Sequence, residues 1–478
     1  VKAMNHRNVW LSRVFRAAVT LLPVSLQGTC AFHASSIACI QSLKNYKHSN
    51  PLRDIPTHPN KLSLRTGRLR MNLGNEAISR EENISANREV LETIYKEAAK
   101  DFASRDSNVE VSLEVPMNWW TSVVVPRLKE IVKTAEIKKE DVIFEVGSGP
   151  GTLLKYICEE ESTNVDNVYA VDLCEEMVDI VEERFPDVNT LLADFLELSK
   201  GSLPNMQKGV DVIFFNSVIS TFTDLQDPLK VSASLLNPGG RVVVSHPLGS
   251  PFVSEMKKSM EELYLNDLPA VDQLQLLVKH LPLKVDKFVS EDELYIARLV
   301  QRPYHALEKV MCMRGDVASG WGRGGKKLGI PTANLPESMF ADALREVQTG
   351  VYLGWAQIGG VSKKSVKAVV NVGYSPTFVG AENREKVVEA HLLEKFENDF
   401  YGKEMRLMLT GFLRPETKFD SFPELLEAIH KDIENSREAL DTEEFSVLSA
   451  HPFLQETSDY EAWQQIAYDD AVKAAGRC

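Results

Sequence analysis

Short apolar runs and amphipathic stretches alternate through the middle of the chain. "DVIFEVGSGPGTLLKYICEE" places an apolar strand, Val142 to Val146, directly before a glycine cluster and a helix. Further strands are predicted at "NVYAVDLC", which ends near Asp172, at the residues before Asp194 in "LLADFLEL", and at "DVIFFNSVIS", which ends at Asn216. "LLNPGGRVVVSHP" predicts a helix end, a turn and a fifth strand. Strand, turn and helix in this alternation predict a doubly wound α/β sheet. From about Val310 the pattern changes to short strands, with "GVYLGWAQI", "AVVNVGYSPTF" and "VEAHLLEKF" among them. A closing helix follows, in which Leu425, Ile429 and Ile433 recur at i+4 spacing and predict one apolar face. In the last stretch, "EAWQQIAYDDAVKAA", residues Trp463, Ile466, Ala467 and Ala471 fall on one helical stripe and predict a helical tail.

A chain of 478 residues is too long for one core and divides into two or three domains. Its 44% apolar and 26% charged residues are those of a globular protein. No apolar run reaches the roughly 18 residues needed to span a bilayer. The six cysteines have no CxxC pair or metal-ligand spacing and read as reduced thiols. A net charge of −14 argues against general nucleic-acid binding. That charge is uneven, since residues 1–75 hold 11 Lys or Arg against one acid, Asp54. Residues 1–80 therefore have the composition of a targeting segment or a disordered tail. Arg7, Arg13 and Arg16 precede the apolar run "AAVTLLPVSL" and the small-residue stretch "GTCAFHAS", with Phe32 after Ala31. This layout resembles the bipartite presequence of algae with secondary plastids; a mitochondrial presequence or a cytoplasmic protein with a disordered tail is the alternative.

The glycine cluster decides the first ligand. A dinucleotide fingerprint needs GxGxxG, and Thr152 stands where the third glycine would fall. Glu145-x-Gly147-x-Gly149-x-Gly151 instead resembles the first motif of class I S-adenosylmethionine methyltransferases, and the later strands follow in that family's order. The resemblance implies a methyltransferase-like domain over residues 85–300. It also implies S-adenosylmethionine held at Glu145, Gly147, Gly149 and Gly151, with Asp172 on the ribose hydroxyls and Asp194 at the adenine amino group. Trp119, Trp120 and His246 lie where that family shapes its acceptor site, but each also reads as packing, and the methyl acceptor is not legible.

"GWGRGGKKLGIPTANL" nearly spells a phosphate-binding Walker loop. Gly320-x4-Gly325-Lys326 fits, but Lys327 occupies the place of the metal-binding hydroxyl, and Gly329 and Pro331 forbid the helix that must follow. Thr332 and Asn334 in "PTAN" alternate along an extended segment, so their oxygens share a side and suit a hard cation. This segment, the strands through Glu389 and His391, the "DFYG" turn and "LRPE" resemble the riboflavin kinase (flavokinase) family over residues 307–440. The resemblance implies a six-stranded Greek-key barrel with a C-terminal helix, and conversion of riboflavin and ATP to FMN and ADP. Gly320, Gly322, Gly324, Gly329 and Arg323 would cradle ATP, and Thr332 and Asn334 would hold Mg2+ or Zn2+. Glu389 would be the general base, with Asp399, Tyr401 and Arg414 in the flavin or closing loops; His391 reads as structural. Residues 441–478 lie outside the resemblance. A rival reading is a flavin-sensing module that regulates the methyltransferase. Oligomeric state is not legible.

Overall fold

The structure is a computed structural model, and residues 120–200, 209–261, 263–318, 330–335, 337–374, 386–455 and 460–476 are described. The targeting segment, Trp119 and the glycine-rich stretch 319–329 lie outside them. The chain divides into two units, residues up to 277 with 285–301, and residues 278–284 with 302–478.

The first unit is a sheet of seven strands. In chain order these are β1 (Ile143–Val146), β2 (Val168–Asp172), β3 (Asn189–Leu192), β4 (Val210–Asn216), β5 (Leu236–His246), β6 (Leu283–Glu291) and β7 (Leu294–Gln301). Their order across the sheet is β3-β2-β1-β4-β5-β7-β6. Strands β1 to β5 run parallel and β7 pairs antiparallel to β5. The helices are α1 (Val125–Thr134), α2 (Leu154–Glu159), α3 (Glu175–Arg184), α4 (Gln226–Leu235), α5 (Gly249–Ser259) and α6 (Val271–Val278). Each buries one stripe, as Leu128, Ile131 and Val132 of α1 do at i, i+3 and i+4. The central strands are buried on both faces, which is why β4 reads as a continuous apolar run. The expected turn at "NPGG" is instead an irregularity within β5: the register jumps from Val210↔Leu236 to Val212↔Arg241, with Gly239 at φ +80°.

The second unit is the barrel. Its strands are β8 (His305–Asp316), β9 (Ala333–Leu335), β10 (Gly350–Ile358), β11 (Val366–Tyr374), β12 (Lys386–Leu392) and β13 (Glu404–Pro415), with α7 (Glu337–Leu344) after β9. The order β8-β13-β10-β11-β12-β9 is antiparallel throughout. An antiparallel bridge from Ala318, just past β8, to Asn334 of β9 closes it. Six strands and a Greek-key order are as expected. Met313, Ala333, Leu335, Val370, Val388, Ala390 and Leu407 form its interior.

The helix α8 (Phe422–Asp441) starts at Ser421, whose hydroxyl accepts from the Glu424 amide while Pro423 occupies the first turn. Leu425, Ile429 and Ile433 are half-buried, and Asn435, Ser436, Ala439 and Leu440 complete its inner face.

The tail departs from expectation. Trp463–Ala467 is a strand, β14, paired antiparallel to β8; after α9 (Glu443–Ser446), only α10 (Tyr468–Ala475) continues the predicted helix. The helical stripe through Trp463 and Ile466 is overridden because β8 otherwise leaves a row of backbone groups unpaired along one edge. The tail covers the barrel rather than standing apart. Phe445, Leu448, Phe453, Tyr468 and Ala471 form a second core against Val310, Cys312, Leu353 and Trp355, on the outer face of β8 and β10. The Trp355 indole donates to the Phe445 carbonyl at 3.0 Å. The Phe445 ring, fully buried, lies edge-on to Tyr304 and Tyr468.

Replacing Phe445 by Ala is expected to cost about 3–5 kcal/mol, read as a lower urea midpoint of the barrel transition; an unchanged midpoint would show that the tail does not support the barrel.

Candidate functional sites

In the first unit the chemistry gathers at the carboxyl ends of β1 and β2. Gly147, Gly149 and Gly151 all have positive φ, +64°, +52° and +80°, a region that costs other residues about 1–2 kcal/mol. A Cβ on Gly147 would fall 2.5 Å from Val218 and one on Gly151 2.6 Å from the Phe185 ring, whereas at Gly149 nothing lies within 4 Å. The turn is therefore packed on its protein side and open on the other. The Gly147 amide donates to the Val171 carbonyl at 2.8 Å, and Arg184 at the end of α3 donates to the Pro150 carbonyl.

Asp172, at the end of β2, accepts from the Gly149 amide at 2.9 Å through one oxygen and from the Cys174 amide at 3.0 Å through the other. Burial raises its pKa against the lowering effect of those amides. Glu145 is more enclosed, at 2% exposure. Burial raises its carboxyl well above the ordinary range, and the neighbouring Asp172 charge raises it further. Its Oε2 and the Ser148 hydroxyl are buried with no hydrogen-bond partner. Unsatisfied buried polar atoms beside an open glycine turn fit a polar ligand such as S-adenosylmethionine. Asp194 is half-buried after β3, where its carboxylate accepts from the Leu196 amide. His246 is 1% exposed, accepts from the Leu248 amide and packs on Phe252, which is the structural role. Trp120 is likewise buried.

On the barrel the expected residues meet on the outer face of three strands. Ala333, Leu335, Val388 and Ala390 point inward, so by alternation Asn334, Glu389 and His391 point outward. The register sets Asn334 of β9 opposite Glu389 of β12, and Glu389 opposite Asn371 of β11. Directly opposed residues bring their Cβ atoms within about 4.5–5.5 Å. Asn334 Oδ1 is buried without a partner, and Thr332, two residues back, is exposed. An orphaned amide oxygen beside a hydroxyl fits a hard cation. His391 lies 2.8 Å from the Pro331 carbonyl through Nδ1; burial lowers its pKa, and the Arg437 charge lowers it further.

Asp399 and exposed Tyr401 sit in the turn between β12 and β13. Gly402 of that turn donates to the Val317 carbonyl, and Val317 donates to Lys403, both at 2.9 Å. The DFYG turn is thereby held against the residues that lead into the glycine-rich stretch. Gly320, Gly322, Arg323, Gly324 and Gly329 themselves lie outside the described residues. Arg414 is engaged within the protein, making a two-pronged contact to Asp432 of α8 at 3.0 and 2.7 Å and stacking on Phe419.

Sequence reasoning missed Asn371 and Glu416. A Cβ on Gly373 would lie 1.9 Å from Glu416 Oε1 and 3.2 Å from Asn371 Nδ2, so the carboxylate of "LRPE" reaches over Gly373 toward the Glu389 row. The polar Asn within the apolar run "AVVNVG" was the available signal. Hollows of about 460 Å3 at one barrel mouth, beside Tyr352, Phe412 and Trp463, and about 890 Å3 along α8 both lie off the Glu389 row.

The buried Glu145 carboxyl gives a pH signature. Its raised pKa means that the folded state binds this proton more tightly than the unfolded state, so stability falls as pH rises from the ordinary carboxyl range through the raised value. The slope from one such group is at most about 1.4 kcal/mol per pH unit. Glu145→Gln is expected to raise the urea midpoint at pH 8 and to flatten its decline with pH; a decline that persists unchanged in the variant would rule out Glu145 as its source.

Comparison with known proteins finds a family match in each unit. Residues 307–440 match the riboflavin kinase family model, and residues 144–242 match that of a methyltransferase domain. The chain is 42% identical to the riboflavin kinase of Mus musculus over 142 residues, 30% of this chain and 88% of that protein. It is 45% identical over 141 residues to the bifunctional riboflavin kinase/FMN phosphatase of Arabidopsis thaliana, but spans only 36% of that protein's length and 29% of its own. The crystal structure of the Trypanosoma brucei riboflavin kinase is matched over 98% of that chain and 33% of this one, at 22% identity and a TM-score of 0.27. By its identity to the mouse enzyme over nearly the whole of that protein, this chain belongs to the riboflavin kinase family, with a methyltransferase domain preceding the kinase barrel in the sequence.

Proposed function

We propose that the barrel phosphorylates the ribityl 5′-hydroxyl of riboflavin from ATP, with Glu389 as general base. The observation that carries this is the row Asn334, Glu389 and Asn371 across three adjacent strands. It sets Glu389 opposite Asn334, with Thr332 two residues before Asn334 along the same segment. Phosphoryl transfer to an alcohol demands positioning, charge neutralisation and a proton acceptor rather than covalent chemistry from the protein. Glu389 takes the hydroxyl proton as the oxygen attacks the γ-phosphorus, and the bond from that phosphorus to the β,γ-bridging oxygen breaks to release ADP. Thr332 and Asn334 would hold Mg2+ or Zn2+, which when bound neutralises charge on the nucleotide phosphates. Gly320, Gly322, Gly324, Gly329 and Arg323 would wrap those phosphates, while Asp399, Tyr401 and Arg414 flank the substrates. Metal oxygens and a base placed together favour turnover over a flavin-sensing module, which has no use for both.

In the first unit we place S-adenosylmethionine against Gly147, Gly149 and Gly151, with Asp172 and Asp194 on its ribose and adenine. The unsatisfied Glu145 and Ser148 oxygens support that reading. For residues 1–80 we propose a plastid presequence, on the basis of their basic, acid-poor composition.

Glu389→Gln is expected to lower FMN formation by the purified chain by about 10²-fold or more while riboflavin and ADP still bind; near-wild-type turnover would remove Glu389 as the base. Asp172→Asn is expected to weaken S-adenosylmethionine binding in calorimetry, and equal affinity would count against the ribose assignment. A fluorescent fusion of residues 1–80 is expected in the plastid, and a mitochondrial or cytosolic signal would overturn that assignment.

A further inference from the structure

His391 reads from sequence as a structural residue that happens to share the Glu389 face. Its contacts give it a narrower task. Strand β9 is three residues long and is held by its pairing to β12 and by the Ala318 amide, which donates to the Asn334 carbonyl at 2.9 Å. All of these contacts fall at or after Ala333. Upstream, Pro331 carries no N–H and cannot add a rung to the ladder. Thr332 therefore lies between a proline that cannot pair and the first paired residue. Across this gap, His391 Nδ1 stands 2.8 Å from the Pro331 carbonyl. A carbonyl can only accept, so the imidazole carries its proton on Nδ1 and donates. The side chain thus supplies the rung that the proline backbone cannot.

We propose that His391 is a positioning residue for the cation-binding pair: its hydrogen bond to the Pro331 carbonyl holds Thr332 in line with Asn334. This rests on the reading that Thr332 and Asn334 hold the divalent cation. Groups that orient the ligands of a metal characteristically change its affinity by about 10–100-fold when removed, although they never touch it. The chemical requirement on residue 391 is a single N–H donor at the Nδ1 position. An asparagine amide can provide that donor; a leucine cannot, though it fills a similar volume.

The test uses the full chain and counts protein-bound Mn2+ by electron paramagnetic resonance in the presence of ADP, which reads the cation site without turnover. His391→Leu is expected to weaken Mn2+ retention by about 10-fold or more, and His391→Asn to restore it to within about threefold of wild type. Wild-type retention in the leucine variant would overturn the proposal. So would an asparagine variant as weak as the leucine one, since the loss would then follow packing and not the donor. Thermal midpoints are taken for each variant, and if the leucine protein does not fold, His391→Ala and His391→Asn are compared in the same way. Asn334→Ala separates the two layers of the argument. If it too retains Mn2+ fully, the cation reading itself fails; if it loses Mn2+ while His391→Leu does not, only the role of His391 fails.

Discussion

The closure of the barrel between Ala318 and Asn334 is the constraint on which the kinase site depends. Strand β9 is too short to be held by its own contacts, and it owes its place to two neighbours, β12 on one side and the continuation of β8 on the other. That double pairing fixes Asn334 opposite Glu389 and sets Ala318 beside Asn334. The same turn of chain carries Val317, to which the DFYG turn is bonded. One closure thus aligns Asn334, Glu389 and the turn bonded to Val317, the residues of the proposed kinase site. A slip of one residue would send every one of these side chains into the apolar interior, where Val388 and Ala390 now sit.

The methyltransferase unit shows the opposite economy. Its glycine turn is closely packed on the protein side by Val218 and Phe185. Two carboxyl groups are buried behind it, and Glu145 and Ser148 keep polar atoms without partners. Burial of that kind destabilises a fold and persists where a bound ligand can satisfy the groups. These unsatisfied groups lie at the carboxyl ends of β1 and β2, where open parallel sheets bind their ligands.

The two faces of β8 and β10 divide the barrel's work. Inward residues such as Met311, Met313 and Tyr352 fill the barrel, and outward ones such as Val310, Cys312 and Leu353 receive the tail. The tail therefore extends the domain past the end of the family match, adding a strand to one edge and a second apolar core on the outer face of β8 and β10.

Much of this was legible in the chain itself. Local signals determined both folds: apolar runs before turns, the glycine spacing that favours S-adenosylmethionine over a dinucleotide, the failure of the Walker pattern at Lys327 and Pro331, and the alternation that puts Thr332 and Asn334 on one side. These are properties of neighbours along the chain, which sequence carries directly. Tertiary structure decided what depends on residues far apart. The opposition of Asn371 to Glu389 and of Glu389 to Asn334 is a matter of strand register, set by closure and pairing partners that no local pattern records. Trp463–Ala467 became a strand because β8 offers an unpaired edge, which a helical stripe cannot reveal. The engagement of Arg414 by Asp432 and the bond between His391 and Pro331 likewise join segments separated by 18 and 60 positions, and only folding brings each donor to its acceptor.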